Sequence, residues 1–201
     1  MKAYSTFKTL MIVTSLLMVV VLTGCSSITG GDTTRFYALS ALAEAKPLST
    51  QQLRLGIGPV KLPRLLKHPQ IITRKNQHEI KMAEEHQWGG SLKEDVTQVV
   101  ADNLANLLGT KQVEHFPWKQ HFKPDYQVRI KIQQLDGELG GKAILKARWW
   151  LRVANAGKDK LAEHSQYSVM VKGSGYASYA ASLSELLRQL SVEIVGRILA
   201  D

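Results

Sequence analysis

Between Tyr126 and Val171 the sequence alternates with a period of two in three successive runs, and no other feature limits the fold so strongly. In the first run Tyr126, Val128, Ile130 and Ile132 alternate with Gln127, Arg129, Lys131 and Gln133. Successive side chains of a strand point to opposite faces, so this pattern predicts a strand with one buried and one wet side. Gly137 to Gly141 predicts a turn, and Lys142 to Val153 a long strand with Leu145, Ala147, Trp149, Leu151 and Val153 on one face. Asn155 to Lys160 is a second turn, after which Ser165, Tyr167, Val169 and Val171 alternate again. Three strands joined by short Gly-containing turns form an antiparallel meander.

A sheet with one apolar face needs a cover, and two helical stripes can supply it. Leu92, Val96, Val99, Val100, Leu104, Leu107 and Leu108 recur at helical spacing. Ser91 and Glu94 have the spacing of a capping box at the start of this helix, and Gly109 is its stop. The second stripe is Leu183, Leu186, Leu187, Leu190, Ile194 and Ile198, in a helix starting near Ala177, with Ser182 and Glu185 repeating the capping-box spacing. Upstream, Phe36 to Leu39 and Leu53 to Gly58 read as short strands, and Pro63 and Pro69 mark an extended loop. Gln70 to Arg74 and His78 to Ala83 read as a hairpin. The expected architecture is a single α+β domain, a mostly antiparallel sheet with two amphipathic helices packed on one face.

Cys25 is the only cysteine in 201 residues. It cannot close an intramolecular disulfide or build a Cys-based zinc site. Its surroundings point to chemical modification. Lys2 and Lys8 form a basic start without acidic residues, the apolar run Leu10 to Leu22 follows, and then Thr23 and Gly24. That order is a secretory signal, and its apolar run is shorter than the ~20 residues a membrane-spanning helix needs. Leu22-Thr23-Gly24-Cys25 fits a bacterial lipobox, with cleavage between Gly24 and Cys25, a diacylglyceryl group on the thiol and an acyl chain such as palmitate on the new amino terminus.

Residues 1–24 are therefore the expected lipoprotein signal peptide and 25–35 a lipidated, flexible tether, because SSITGGDTTR is polar and rich in Gly, Ser and Thr. Residues 36–201 are the expected periplasmic domain. Ser26, in place of the aspartate that retains lipoproteins in the inner membrane, points to the outer membrane, with the domain facing the periplasm. Removing Lys2 and Lys8 lowers the formal charge from +9 to +7. In an exported protein that excess suits anionic lipid head groups or an acidic protein, and excludes nucleic acid.

Catalytic constellations are missing from the sequence. His68, His78, His86, His115, His121 and His164 show no helical ligand pair, so no metal is expected, and nothing implies a cofactor. Gly137-Glu138-Leu139-Gly140-Gly141-Lys142 lacks the spacing of a phosphate loop and leads into a strand. Ser174 lies directly between glycines, which is not a nucleophile elbow. The unusual surface is on the long strand. If Trp149 faces the core, Trp150 points outward beside Lys146, Arg148 and Arg152, with Arg129 and Lys131 on the neighbouring strand. A solvated sheet face is one reading; an interface is the other, since Trp and Arg are enriched at binding hot spots.

The chain resembles the ABC-type transport auxiliary lipoproteins, the family of the PqiC-like intermembrane transport lipoproteins. The likeness runs through the lipobox, Phe36-Tyr37-Ala38-Leu39, Gly56-Ile57-Gly58-Pro59-Val60-Lys61-Leu62-Pro63, Pro69 to Arg74, Trp88, Leu92, Asn103-Leu104 and Pro117-Trp118. It departs at Leu65, where tyrosine is common, and at Gly89-Gly90. The resemblance implies a non-enzymatic outer-membrane lipoprotein. Such a protein acts with a tunnel-forming MCE-domain protein and inner-membrane transport components, moves lipid between membranes, supports envelope integrity and assembles as a homo-oligomeric ring. A structural or assembly-factor lipoprotein of an outer-membrane complex is the alternative.

Overall fold

The computed structural model describes residues 33–41, 47, 48, 52–153 and 159–200. The signal peptide expected over 1–24, Gly24, Cys25 and the tether up to residue 32 lie outside them, as does most of the turn at Asn155–Lys160.

The alternating runs are three strands of 12 residues each, β6 (Tyr126–Gly137), β7 (Lys142–Val153) and β8 (Asp159–Met170), paired antiparallel in sequence order. β2 (Leu55–Lys61) extends this meander by pairing parallel to β6, and β5 (Val113–His115) pairs parallel to β2, giving a five-stranded sheet in the order β5-β2-β6-β7-β8. β1 (Arg35–Tyr37), β3 (Gln70–Arg74) and β4 (Ile80–Trp88) form a second sheet in the order β1-β4-β3. The α+β class is as read from the sequence, with the strands divided between two mixed sheets. β2 also runs past Pro59, with a register shift between Ile57 and Val60 that accommodates the proline.

Helices α1 (Leu92–Leu108) and α2 (Tyr176–Leu199) pack on each other and on the same face of the large sheet. Val96, Val100, Leu104 and Leu108 of α1 and Leu183, Leu186, Leu190 and Ile194 of α2 are fully or almost fully buried, with Val128, Ile130, Leu145, Trp149 and Leu151 beneath them. At about 25 cal/mol per Å² of apolar surface removed from water, this single core is the main source of stability. Gly109 ends α1 in the left-handed region at φ 66°, a conformation that favours glycine. The start of α1 differs from the capping-box expectation: Ser91 is the N-cap residue, but its hydroxyl makes no capping hydrogen bond. α2 starts about two turns earlier than Ser182 suggests, with Gly175 as its N-cap residue. The Ser182 hydroxyl donates to the Ser178 carbonyl inside the helix, and Glu185 pairs with Arg188.

The two sheets are clasped where β6 ends. The buried Asp136 carboxylate accepts from Arg74 of β3 at 2.7 and 3.0 Å. Next to it, the Gly137 N–H donates to the Tyr179 hydroxyl at 2.9 Å, and that hydroxyl donates to the Ile72 carbonyl, also at 2.9 Å. One tyrosine of α2 thus ties both sheets to the helix, and burial raises its pKa well above the ordinary phenol value.

Candidate functional site: the open sheet face

The site is built by the period of the long strands. Trp149 is fully buried, and its indole N–H donates to the Ser165 hydroxyl at 2.9 Å. Ser165 and Tyr167 in turn donate to one carboxylate oxygen of Glu193 on α2, both at 2.5 Å. This network holds β7 and β8 against the helix. With Trp149 fixed inward, the pleat turns Trp150 to the opposite, open face.

On that face the register lines up basic side chains from four strands. Lys61 pairs with Lys131, Lys131 with Arg148, and Arg148 with His164, a row across β2, β6, β7 and β8. Strands lie about 4.8 Å apart, so the row spans about 14 Å. Arg129 is opposite Trp150, Gln127 opposite Arg152, and Gln134 opposite Lys146. The Arg148 and Arg129 guanidinium carbons lie 5.1 and 5.5 Å from the centre of the Trp150 ring. Each such contact stabilises by about 0.5–1 kcal/mol. Asp159 pairs with Arg129. The structure therefore places Trp150, Arg148, Arg152 and Lys146 together, and adds Lys61 and His164. Like charges directly opposite one another destabilise a sheet, and an anionic partner would relieve that repulsion.

The Gly56-to-Pro59 and Pro117-Trp118 motifs meet at one end of this face. A Cβ on Gly56 would lie 2.7 Å from the Trp118 ring, so the glycine leaves room for the indole to lie on β2. Phe116 and Phe122 meet that indole edge-on, with ring centres 5.4 and 6.4 Å away. Gly58, at φ 111°, accepts a 2.8 Å hydrogen bond from Gln127 through its carbonyl, and Ile57 accepts one from Phe116 N–H at 2.8 Å. Below them, Arg54 clamps Asp125 through its backbone N–H at 2.9 Å and its guanidinium at 2.6 Å, which holds the Asp125 carboxyl below its ordinary pKa. Because Gly56 pairs with Gln127 and Gln127 with Arg152, Trp118 lies on the same face as Trp150.

Among the described residues, no group of three His, Cys, Asp or Glu side chains could hold a metal ion. No helix among them is long and apolar enough to cross a membrane. Lys61 and His164 escaped the sequence reading because their place in the row depends on register between strands. The parity of β8 was the one signal available for His164.

This architecture defines the class. Protein XCC0632 from Xanthomonas campestris shares it in a crystal structure with a TM-score of 0.69 at 16% identity, over 83% of this chain and 95% of that one. A second crystal structure, of an uncharacterized protein, shares it with a TM-score of 0.64 at 14% identity, over 81% of this chain and 99% of that one. These likenesses show the fold. No curated protein matches this sequence. The family is decided by a family model, ABC-type transport auxiliary lipoprotein component, which matches residues 37–195. The chain belongs to that family.

Proposed function

We propose that this protein is an outer-membrane-anchored periplasmic lipoprotein that docks a tunnel-forming MCE-domain protein in an intermembrane lipid transport system and so supports envelope integrity. Residues 1–24 are removed, Cys25 carries the acyl chains, 25–35 tether the domain, and 36–201 make the contacts. The observation that carries the reading is the family match over 37–195, which continues almost from the tether to the end of α2. The anchor concentrates the domain at one membrane and raises its effective concentration for a partner that spans the periplasm. Copies of the domain assemble into a ring around the tunnel's tip, and lipid passes through without being chemically changed. The partner contacts are those of the open face around Trp150, where aromatic and guanidinium groups converge.

Crosslinking in intact envelopes followed by co-purification tests the partner. Recovery of an MCE-domain protein with inner-membrane transport components is the expected result; recovery only of an outer-membrane barrel or a cell-wall component would make the protein a structural or assembly factor instead. Trp150→Ala should lower partner or self-association by about 30-fold or more, the loss of a hot-spot residue, while the melting temperature moves by only a few degrees. A variant that melts early yet still associates normally would place Trp150 in the fold and not in the interface.

A further inference from the structure

Two large apolar side chains stand out from the surface on either side of the first turns of α2. Phe36 in β1 is 64% exposed, and Met170 at the end of β8 is 61% exposed. Each borders a groove against the helix, one of about 530 Å³ reaching from Phe36 to Ala177 and Arg188, the other of about 640 Å³ reaching from Met170 to Lys172 and Ser182. Both volumes fall in the range of ligand-holding clefts, about 300–1,000 Å³. The grooves share Ala181 and Glu185, so one stretch of α2 is the ridge between them. A cation lines each groove: Arg188 the first, where it pairs with Glu185 at 2.5 and 2.6 Å, and Lys172 the second. Apolar surface bordered by cations is the chemistry of a lipid interface, with acyl carbon for the first and phosphate for the second.

We infer that the Phe36–Met170 surface lies on the bilayer, with its apolar side chains at the boundary between head groups and acyl chains. The inference rests on the reading that Cys25 is acylated. What chooses the occupant is where the chain outside the described domain ends. From Cys25 to Phe36 the chain can reach at most about 40 Å, and Phe36 is the first apolar side chain of the first strand. β1 sits beside the start of α2, since the Tyr37 and Tyr176 rings are 6.1 Å apart, with Tyr176 stacked on His86 at 3.9 Å and Tyr37 tilted against it at 5.6 Å. The chain thus enters the domain beside Phe36, one of the exposed apolar pair. Trp150 is opposite Ala162, about 27 Å of strand away from Met170 along β8. One end of the meander is thus held at the membrane, and the cationic face near the other end is left for a partner.

The test uses the full lipidated chain in vesicles of phosphatidylethanolamine and phosphatidylglycerol whose acyl chains carry bromine at set depths. Phe36→Trp and Met170→Trp are compared with the native protein, which contributes the emission of four tryptophans. Phe116→Trp, at a site 51% exposed but on the β2–β5 corner, is the control. The added emission at 36 and 170 should shift to the blue and be quenched, most strongly by bromine about 5–10 Å below the head groups, while that at 116 stays unquenched. Co-floating protein with no added quenching at 36 or 170 overturns the surface assignment and leaves the anchor standing. A blue shift that needs no vesicles and grows with protein concentration overturns it in favour of a second copy. A chain without acyl groups by mass, or one that does not float, overturns the anchor and the surface assignment together.

Discussion

Replacing Cys25 by alanine is expected to mislocalise the protein, which no longer reaches its lipid-anchored place in the outer membrane, while leaving its domain intact. Acyl chains contribute about 0.8 kcal/mol per buried methylene, and one chain alone holds only marginally, so the two or three chains added at a lipobox are what makes the attachment durable. Without the thiol there is no acceptor for the diacylglyceryl group, and the processing that depends on it stops. Among the described residues the core begins with Leu39, beyond this site, so unfolding of the Cys25→Ala domain should differ from the native one by no more than about 0.5 kcal/mol. Envelope fractionation measures the first effect, and thermal unfolding of the purified chains measures the second. In cells the variant should fail to correct the envelope defect of a strain lacking the native protein. A soluble periplasmic form that corrects it fully would remove anchoring from the mechanism.

The second large effect is on stability. Gly137 ends β6, where the chain folds back against the start of β7. A Cβ there would lie 2.2 Å from the Lys142 carbonyl oxygen and 2.5 Å from the Ala143 Cα, both backbone atoms that no rotamer change can move. Gly137→Ala therefore has to open the hairpin, which also strains the Gly137–Tyr179–Ile72 hydrogen bonds that tie the two sheets to α2. Overpacking of this kind together with a weakened buried hydrogen bond costs about 3 kcal/mol, a fall in melting temperature of roughly 6–12 °C for a domain of this size. Gly90→Ala is the control, because a Cβ at Gly90 meets nothing within 4 Å, and it should change stability by no more than about 0.5 kcal/mol. Equal melting of the two variants would mean that the β6–β7 turn is not packed as described.

Local patterns were legible in the sequence because each is written in consecutive residues. The meander follows from period two and both helices from their apolar stripes. The turn at Gly137–Gly141 reads as a hairpin because a strand, not a helix, follows it. The cap at Ser91 shows the limit of such patterns: the spacing is present, yet the hydroxyl makes no capping bond. Ser182 and Glu185 have the same spacing and lie inside a helix, because Gly175 and Tyr176 already begin it. The parallel pairing of β2 with β5 and β6 was not legible, since parallel neighbours are joined by long connections that leave no local trace.

For the candidate site the division is similar. Trp150 and its cationic neighbours on β7 follow from the pleat once Trp149 is taken as core, and the expected anchor at Cys25 follows from a linear motif that needs no fold to be recognised. Only the tertiary structure extended Arg148 into a row from Lys61 to His164, laid Trp118 over Gly56, and set Phe36 and Met170 on either side of α2. Periodicity says which face of its own element a residue occupies. Which residues of other elements share that face depends on strand register and on how sheets and helices dock, and those are decided by packing between segments far apart in the chain.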